Sequence, residues 1–163
     1  MMKKLYVVRH AEASWNKKFQ TDYERPLKQE GINDAFTISN YLNTQNYIPD
    51  CIIYSAAQRT DETAQIIYKS FNNTKIKLIS DKSLYDAPLD YTLEVLTKYS
   101  QYDNLLFVGH NPTITLLINK ISNANIDHVP TSGLAAINFN STQSKKLIGE
   151  LFDFTYPKKL NYL

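Results

Sequence analysis

The chain has 163 residues, a length that ordinarily forms one domain and buries roughly two thirds of its unfolded surface. Its balance of 43% hydrophobic and 21% charged residues argues against a disordered chain and against a membrane protein. The net charge of +2 is too small for a nucleic-acid-binding surface, so any electropositive site must be local. We therefore expect a single domain over residues 1–163.

Cysteine use and the absence of long apolar runs indicate the compartment. Cys51 is the only cysteine and lies in the apolar run CIIY, so an intrachain disulfide is impossible and a reducing environment is favoured. The N-terminal apolar stretch stops after four residues at Arg9, which is too short for a signal peptide. No run approaches the roughly 18 apolar residues of a membrane span. We expect a cytoplasmic protein with neither a membrane nor a nucleic-acid partner.

In the first half of the chain, short apolar runs alternate with segments of helical period. KLYVV (4–8) predicts a first strand, and EGINDAFTISNYL (30–42) predicts a helix whose buried face includes Ala35, Phe36 and Leu42. DCIIY (50–54) predicts the second strand. A helix follows over 58–71, and Ser55 with Gln58 three residues later has the form of a capping box.

The second half continues the alternation and ends differently. KIKLI (75–79) predicts a third strand, LDYTLEVLTKYS (89–100) a helix, and NLLFVG (104–109) a strand buried on both faces. In NPTITLLINKI (111–121), Asn111 is placed to cap a helix with Pro112 at its first position. LAAINFN (134–140) and KKLIGELFDF (145–154) predict an edge hairpin through the turn STQSK. The whole pattern predicts a three-layer α/β/α sandwich with a mostly parallel central sheet and an edge hairpin near the C-terminus.

Polar residues follow the predicted strands at the edge where open α/β sheets bind ligands. Arg9 and His10 end the first strand, and Ser55 ends the second, with Arg59 one helical turn later. His110 follows the fourth strand, and the third leads to Asp86. Any one of these alone is commonly a solvated loop residue, and Ser55 alone is commonly a helix cap. Together they predict one site.

Two guanidinium groups and two imidazoles near helix N-termini favour a phosphoryl ligand, because the arginine fork matches phosphate oxygens in bidentate fashion. The sequence has no glycine-rich phosphate-binding loop and no cluster of metal ligands at ligand spacing, so we expect neither a metal nor a cofactor. The third histidine, His128, follows no predicted strand, and we interpret it as an ordinary loop residue.

Three blocks in order carry a resemblance to a known family. VVRHAEAS, SAAQRTDETA and VGHNP resemble the conserved blocks of the histidine phosphatase superfamily, in its phosphoglycerate-mutase-like branch. ERPLKQEG and PTSGLAAINF, together with the short chain, resemble the bacterial phosphohistidine phosphatases of the SixA group. The likeness extends from residue 5 to about residue 140.

The resemblance implies roles for individual residues. His10 would be the nucleophile that forms a phosphohistidine intermediate, and Arg9, Arg59 and His110 would hold the phosphoryl oxygens. Arg25, in ERPL, either reaches the substrate or forms a surface ion pair.

Two departures from the family pattern concern the backbone after the nucleophile and the general acid. Ala11 replaces the family's usual glycine, which is tolerable where the local φ is negative. Asp86 and Glu12 are both candidates for the acid. Asp86 also has the alternative of shaping the turn before Pro88.

Three functions remain open at this stage. The first is a metal-independent phosphatase acting on phosphohistidine or another phosphoramidate in proteins, with a partner such as a histidine-phosphotransfer domain. The second is a phosphomonoesterase that acts on a small cytosolic phosphorylated metabolite. The third is a binding module for phosphorylated residues that has lost turnover, against which the intact His10 and His110 argue.

Overall fold

A computed structural model describes residues 2–15, 20–140 and 147–161 of the chain. Its strands and helices follow the predicted order, with boundaries shifted by a few residues and one added C-terminal helix. The strands are β1 (Lys4–Arg9), β2 (Cys51–Ser55), β3 (Lys77–Asp81), β4 (Asn104–Gly109), β5 (Leu134–Asn138) and β6 (Glu150–Thr155). The helices are α1 (Gln29–Thr44), α2 (Gln58–Ser70), α3 (Leu89–Lys98), α4 (Thr113–Ile121) and α5 (Pro157–Asn161).

The strands form one six-stranded sheet in the order β3-β2-β4-β1-β5-β6. The pairs β3–β2, β2–β4 and β4–β1 are parallel, whereas β5 and β6 pair in antiparallel fashion at one edge. The predicted fold class is therefore confirmed: a mostly parallel sheet covered by helices, with two antiparallel strands at the C-terminal edge. The predicted turn STQSK lies outside the described residues.

Alternate residues of the central strands enter two separate hydrophobic cores, as the period of two in a strand requires. In β1, Leu5 and Val7 pack with α3 and α4 on one face, whereas Tyr6 and Val8 pack with α1 and α2 on the other. Strands β2 and β4 alternate in the same way. Because both faces of the sheet are covered, side chains gain access to solvent at the ends of the strands, which is where the site lies.

Three local predictions need correction. Phe36 is 52% exposed and Ile38 takes its place in the core, because the buried face of α1 is rotated from the predicted one. Helix α2 begins after Ala57, so Ser55 is the last residue of β2 and not a cap. Helix α4 begins at Thr113 after Pro112, and Asn111 still accepts a hydrogen bond from the amide of Thr115 at 3.2 Å.

Within residues 2–15, 20–140 and 147–161, no helix has both the length and the apolar character needed to cross a membrane.

Candidate active site

The carboxyl ends of β1 and β4 bring two histidines together. These strands are parallel neighbours whose last residues, Arg9 and Gly109, lie opposite each other in the register. The next residues along the chain are His10 and His110, so their rings must lie side by side, and their centroids are 5.3 Å apart. The two rings border a cleft of about 410 Å³. Its lining consists of Arg9, His10, Glu12, Ala13, Trp15, Arg25, Lys28, Arg59, His110, Asn111 and Thr131.

The contacts of His10 fix which ring nitrogen is available for chemistry. Its Nδ1 lies 2.7 Å from the carbonyl oxygen of Ala11. A carbonyl only accepts hydrogen bonds, so Nδ1 carries the hydrogen and Nε2 keeps its lone pair. The side chain is only 8% exposed, and this burial, together with the charges of Arg59 and Arg9, lowers the pKa of His10 to about 4. His10 is therefore neutral at physiological pH, with Nε2 unprotonated.

His110 is held by the serine that ends β2. Its Nε2 lies 2.8 Å from Oγ of Ser55, whose own side chain is fully buried. Burial and the neighbouring His10 and Arg59 lower the pKa of His110 to about 3. Ser55, which the sequence predicted as a helix cap, thus orients the neutral imidazole of His110 at the cleft.

Arg59 enters the cleft from the first turn of α2 and is only 7% exposed. Its Nη1 donates to the carbonyl oxygen of Asp22 at 2.7 Å, and its Nη2 donates to the carboxylate of the same residue at 3.0 Å. The Asp22 carboxylate also accepts a hydrogen bond from the hydroxyl of Tyr85 at 2.6 Å. Arg59 therefore has a fixed position before any ligand binds.

Arg9 is held from the other side of the cleft by the loop that precedes β5. Its Nη1 donates to the carbonyl oxygen of Val129 at 3.0 Å and lies 3.2 Å from Nε2 of His128. The side chain of Asn111 donates to the same Val129 carbonyl at 2.9 Å. Burial and the charge of Arg59 lower the pKa of Arg9, although its guanidinium stays protonated under ordinary conditions.

The same three residues share an unusual feature. Arg9 Nε, Arg59 Nε and His110 Nδ1 are buried and have no hydrogen-bond partner in the part of the chain that the structure describes. The two arginine Nε atoms are N–H donors, whereas the role of His110 Nδ1 depends on the tautomer that its contact with Ser55 selects. Buried polar groups nearly always have partners in native proteins, so these unpartnered groups mark the cleft as a candidate binding site. Three arginines and Lys28 line the cleft, so its charge favours an anionic ligand.

The sequence model of the histidine phosphatase superfamily (branch 1) matches residues 5–89, just over half of the 163 residues. The chain belongs to this superfamily. This family assignment confirms the resemblance that the three sequence blocks carry.

Two solved structures and one curated relative are similar to this chain. A candidate phosphohistidine phosphatase SixA from Agrobacterium tumefaciens is 27% identical, with a TM-score of 0.80 over 96% of this chain and 99% of that one. A protein histidine phosphatase SixA complexed with tungstate shares the fold, with 17% identity and a TM-score of 0.80 over 96% of this chain and 99% of that one. An uncharacterized chloroplastic protein of Arabidopsis thaliana is 27% identical over 133 residues. That match covers 76% of this chain and 61% of the plant protein, so the chain spans less than two thirds of that relative.

One departure of this chain from the family pattern has a structural explanation. Ala11 does not lie among the described residues with positive φ, so it meets no backbone strain in place of the family's glycine. Its side chain is fully buried with Leu27 and Ala35, and its amide donates to Oγ1 of Thr63 at 3.0 Å.

Arg25 borders the cleft, but its nitrogens already have partners. Nε donates to the carbonyl oxygen of Ser14 at 3.2 Å, and Nη1 contacts the Asp22 carboxylate at 3.2 Å. Nη2 donates to the carbonyl oxygen of Ala13 at 3.5 Å, and the ring of Trp15 stacks on the guanidinium at 3.7 Å. Arg25 therefore organises the loop that carries Ala13 and Trp15.

The carboxylates are distributed differently from the sequence-based expectation. Asp86 is exposed, has a φ of 54°, and is not among the residues that line the cleft. Glu12 does line the cleft, but its carboxylate pairs with Lys28 at 2.8 Å. In the described part of the chain, no group of three or more histidine, cysteine, aspartate or glutamate residues comes together as a metal site.

Sequence reasoning missed Asp22, Tyr85 and His128 as neighbours of the site. Asp22 stands three residues before Arg25 in TDYERPL, the one local signal that was available for it. Tyr85 directly precedes the aspartate that was chosen as a candidate acid. His128 follows no strand and reaches Arg9 only through the tertiary fold.

Proposed function

We propose that this protein is a phosphohistidine phosphatase that acts through a phosphorylated His10 and needs no metal. The observation that carries the proposal is the tautomer of His10. The contact between Nδ1 and the Ala11 carbonyl leaves the Nε2 lone pair free at the cleft, and the low pKa keeps it free at neutral pH.

The proposed reaction has two displacements at phosphorus. His10 Nε2 attacks the phosphoryl group, the new P–N bond forms, and the P–N bond to the substrate's imidazole breaks. A water molecule then attacks phospho-His10, so that inorganic phosphate and neutral His10 are released. The roles assigned to Arg9, Arg59 and His110 are to hold the phosphoryl oxygens, on which negative charge is spread in the transition state.

The surroundings of the cleft favour a leaving group that carries its own proton. An alkoxide leaving group requires a positioned acid, worth roughly 10²–10⁴ in rate. Asp22 is ionised because its pKa is held at about 2: burial opposes this, but the Tyr85 hydrogen bond and the Arg59 charge outweigh the effect of burial. Glu12 is paired with Lys28, and Asp86 lies outside the lining. The imidazole of phosphohistidine departs already protonated, so this site suits a phosphoprotein such as a histidine-phosphotransfer domain.

A second candidate is a phosphomonoesterase that acts on a small phosphorylated metabolite. The volume of the cleft, about 410 Å³, lies within the range of small-molecule sites and favours this alternative. Under this alternative Asp86 would have to supply the proton after a movement of its loop.

The decisive experiment measures kcat/KM for a phosphorylated histidine-phosphotransfer domain, a sugar phosphate and an aryl phosphate, and detects phospho-His10 by mass spectrometry without acid. We expect the phosphoprotein to be preferred and the phosphate to be found on His10. His10→Ala should abolish turnover, whereas Lys98→Ala, on the exposed side of α3, serves as the matched control. A phosphate trapped on another residue, or a strong preference for the sugar phosphate, contradicts the proposal.

Asp86→Asn separates the two candidates further. If the substrate is phosphohistidine, this change should alter single-turnover rates little, whereas an alkyl phosphate should lose on the order of 10²-fold. An equal loss on both substrates would remove both the acid assignment and the substrate argument that depends on it.

A further inference from the structure

Tyr85 contacts His110 directly and Arg59 through Asp22, although it is not among the residues that line the cleft. It follows β3 and the single turn of 3-10 helix at Lys82–Leu84. Its hydroxyl donates to Oδ2 of Asp22 at 2.6 Å, and this same oxygen accepts from Nη2 of Arg59 at 3.0 Å. Its ring meets that of His110 in a T-shaped contact, with centroids 5.8 Å apart and planes at 77°.

We propose that Tyr85, acting with Asp22, is a positioning residue that holds the side chains of Arg59 and His110 in the relative positions that phosphoryl transfer requires. The hydroxyl end determines the direction of the Asp22 carboxylate and hence of the Arg59 fork. The ring end supports one side of His110, whose opposite anchor is Ser55 at Nε2. Tyr85 therefore links Arg59, which lies in α2, to His110, which follows β4, and the proposed function assigns both residues to the same phosphoryl group.

The ring of Tyr85 is itself held in place. Tyr23, in the same short 3-10 helix as Asp22, packs against it at 5.0 Å with the planes at 86°. The segment Asp22–Glu24 thus contacts Tyr85 twice. The Asp22 carboxylate accepts its hydroxyl hydrogen, and the Tyr23 ring packs against its ring. Such double contact restricts the ring to one orientation, which is what preorganisation of a catalytic group requires.

The charges show that the pair holds its neighbours and does not transfer protons. The hydrogen bond to Asp22 raises the pKa of Tyr85, so its hydroxyl remains protonated, and Asp22 remains ionised. Tyr85 is therefore the donor and Asp22 the acceptor throughout the neutral pH range. An O–H donor at 2.6 Å from a carboxylate is of the strong, charge-assisted kind.

The test uses an aryl phosphate and vanadate, which probe the phosphoryl-binding residues whether or not phosphohistidine is the substrate. Tyr85→Phe keeps the ring on His110 and removes the hydroxyl from Asp22. We expect it to lower kcat/KM on the order of tenfold and to weaken inhibition by vanadate in parallel. Asp22→Asn should do the same, and Tyr91→Phe on the exposed side of α3 is the matched control.

Coupling distinguishes positioning from a general structural role. In an Arg59→Ala background, Tyr85→Phe should cause no further loss, because the residue through which it acts is gone. Tyr85→Leu should cost more than Tyr85→Phe in the wild type, and this additional loss should vanish in a His110→Ala background. The proposal is overturned if Tyr85→Phe leaves vanadate inhibition unchanged, or if its effect is equally large with and without Arg59.

Discussion

Arg59 and Arg25 border the same cleft, but they differ in how many of their nitrogens have a hydrogen-bond partner within the protein. Arg59 is almost fully buried and has an unsatisfied Nε, whereas each nitrogen of Arg25 contacts a protein oxygen. Removing a preorganised donor from a transition-state site typically costs on the order of 10²-fold or more. A donor that is occupied within its own loop contributes to binding only through the shape of that loop.

We therefore expect Arg59→Ala to lower kcat/KM about 10²-fold and to weaken vanadate inhibition in parallel. Arg25→Ala should act mainly on thermal stability and on the environment of Trp15, with a much smaller loss in kcat/KM. Steady-state kinetics with an aryl phosphate and the intrinsic fluorescence of Trp15, the only tryptophan, measure both effects. Equal kinetic losses for the two variants would show that Arg25 contacts the phosphoryl group directly.

The sequence predicted the site residues that lie at strand ends and missed those that reach the site through the tertiary fold. Arg9 ends β1, and His10 and His110 come directly after β1 and β4, so a rule about sheet edges locates them. Asp22 and Tyr85 are 63 residues apart and meet only through tertiary structure, which no local pattern encodes. Ser55 was misinterpreted because its spacing from Gln58 resembles a cap, whereas the strand extends through it. The role of Asp86 stays a prediction.

Helix α1 depends on a close approach to the segment that follows the nucleophile. Gly31, in its first turn, packs against the backbone of Glu12, and a Cβ there would lie 2.9 Å from the Glu12 nitrogen and 3.0 Å from its carbonyl carbon. The amide of Lys28 donates to the Glu12 carbonyl at 2.9 Å. Gly31 thus allows the first turn of α1 to pack directly against the backbone of the loop that follows His10.

Gly31→Ala should destabilise the protein although alanine favours helices by up to about 1 kcal/mol. Overpacking against the backbone typically costs about 1–3 kcal/mol, and we expect a net loss in the free energy of unfolding together with reduced activity. Urea denaturation measures the loss. Asn40→Ala, at an exposed position of the same helix, is the control and should be neutral or stabilising. An unchanged denaturation midpoint for Gly31→Ala would show that α1 can shift away without penalty.

Folding keeps His10 and His110 neutral at mildly acidic pH, where the same residues in an unfolded chain would be protonated. The pKa values of His10 and His110 are about 4 and about 3, both below the ordinary value of 6.5. Between pH 6.5 and about 4, the unfolded state binds more protons than the native state, so the free energy of unfolding falls as the pH falls. The stabilisation is complete above pH 6.5.

We expect each histidine to contribute a slope of up to about 1.4 kcal/mol per pH unit in this window. Urea titrations at several pH values should show a steeper loss for the wild type than for a His10→Gln/His110→Gln variant, in which the carboxylates still titrate. Parallel slopes for the two proteins would mean that these imidazoles take up protons in the native state as readily as when exposed.

At the level of the whole molecule, the fold class followed from the alternation of apolar runs and helical segments, but the order of the strands did not. Apolar character shows that β1 and β4 are both buried and does not show that they are neighbours. Their adjacency is what places His10 beside His110, so the sheet-edge rule predicted a shared site but not the distance between the two rings.

The same adjacency has a consequence for the biosynthesis of the protein. Strand β1 leaves the ribosome first, yet its register with β4 joins residues 100 positions apart, such as Lys4 with Asn104. Until β4 has been synthesised, His10 has neither its neighbouring ring nor its burial, and its imidazole titrates like that of any flexible peptide. We therefore expect a nascent or truncated chain that ends before β4 to lack the paired histidines, which come together only when β1 and β4 pair.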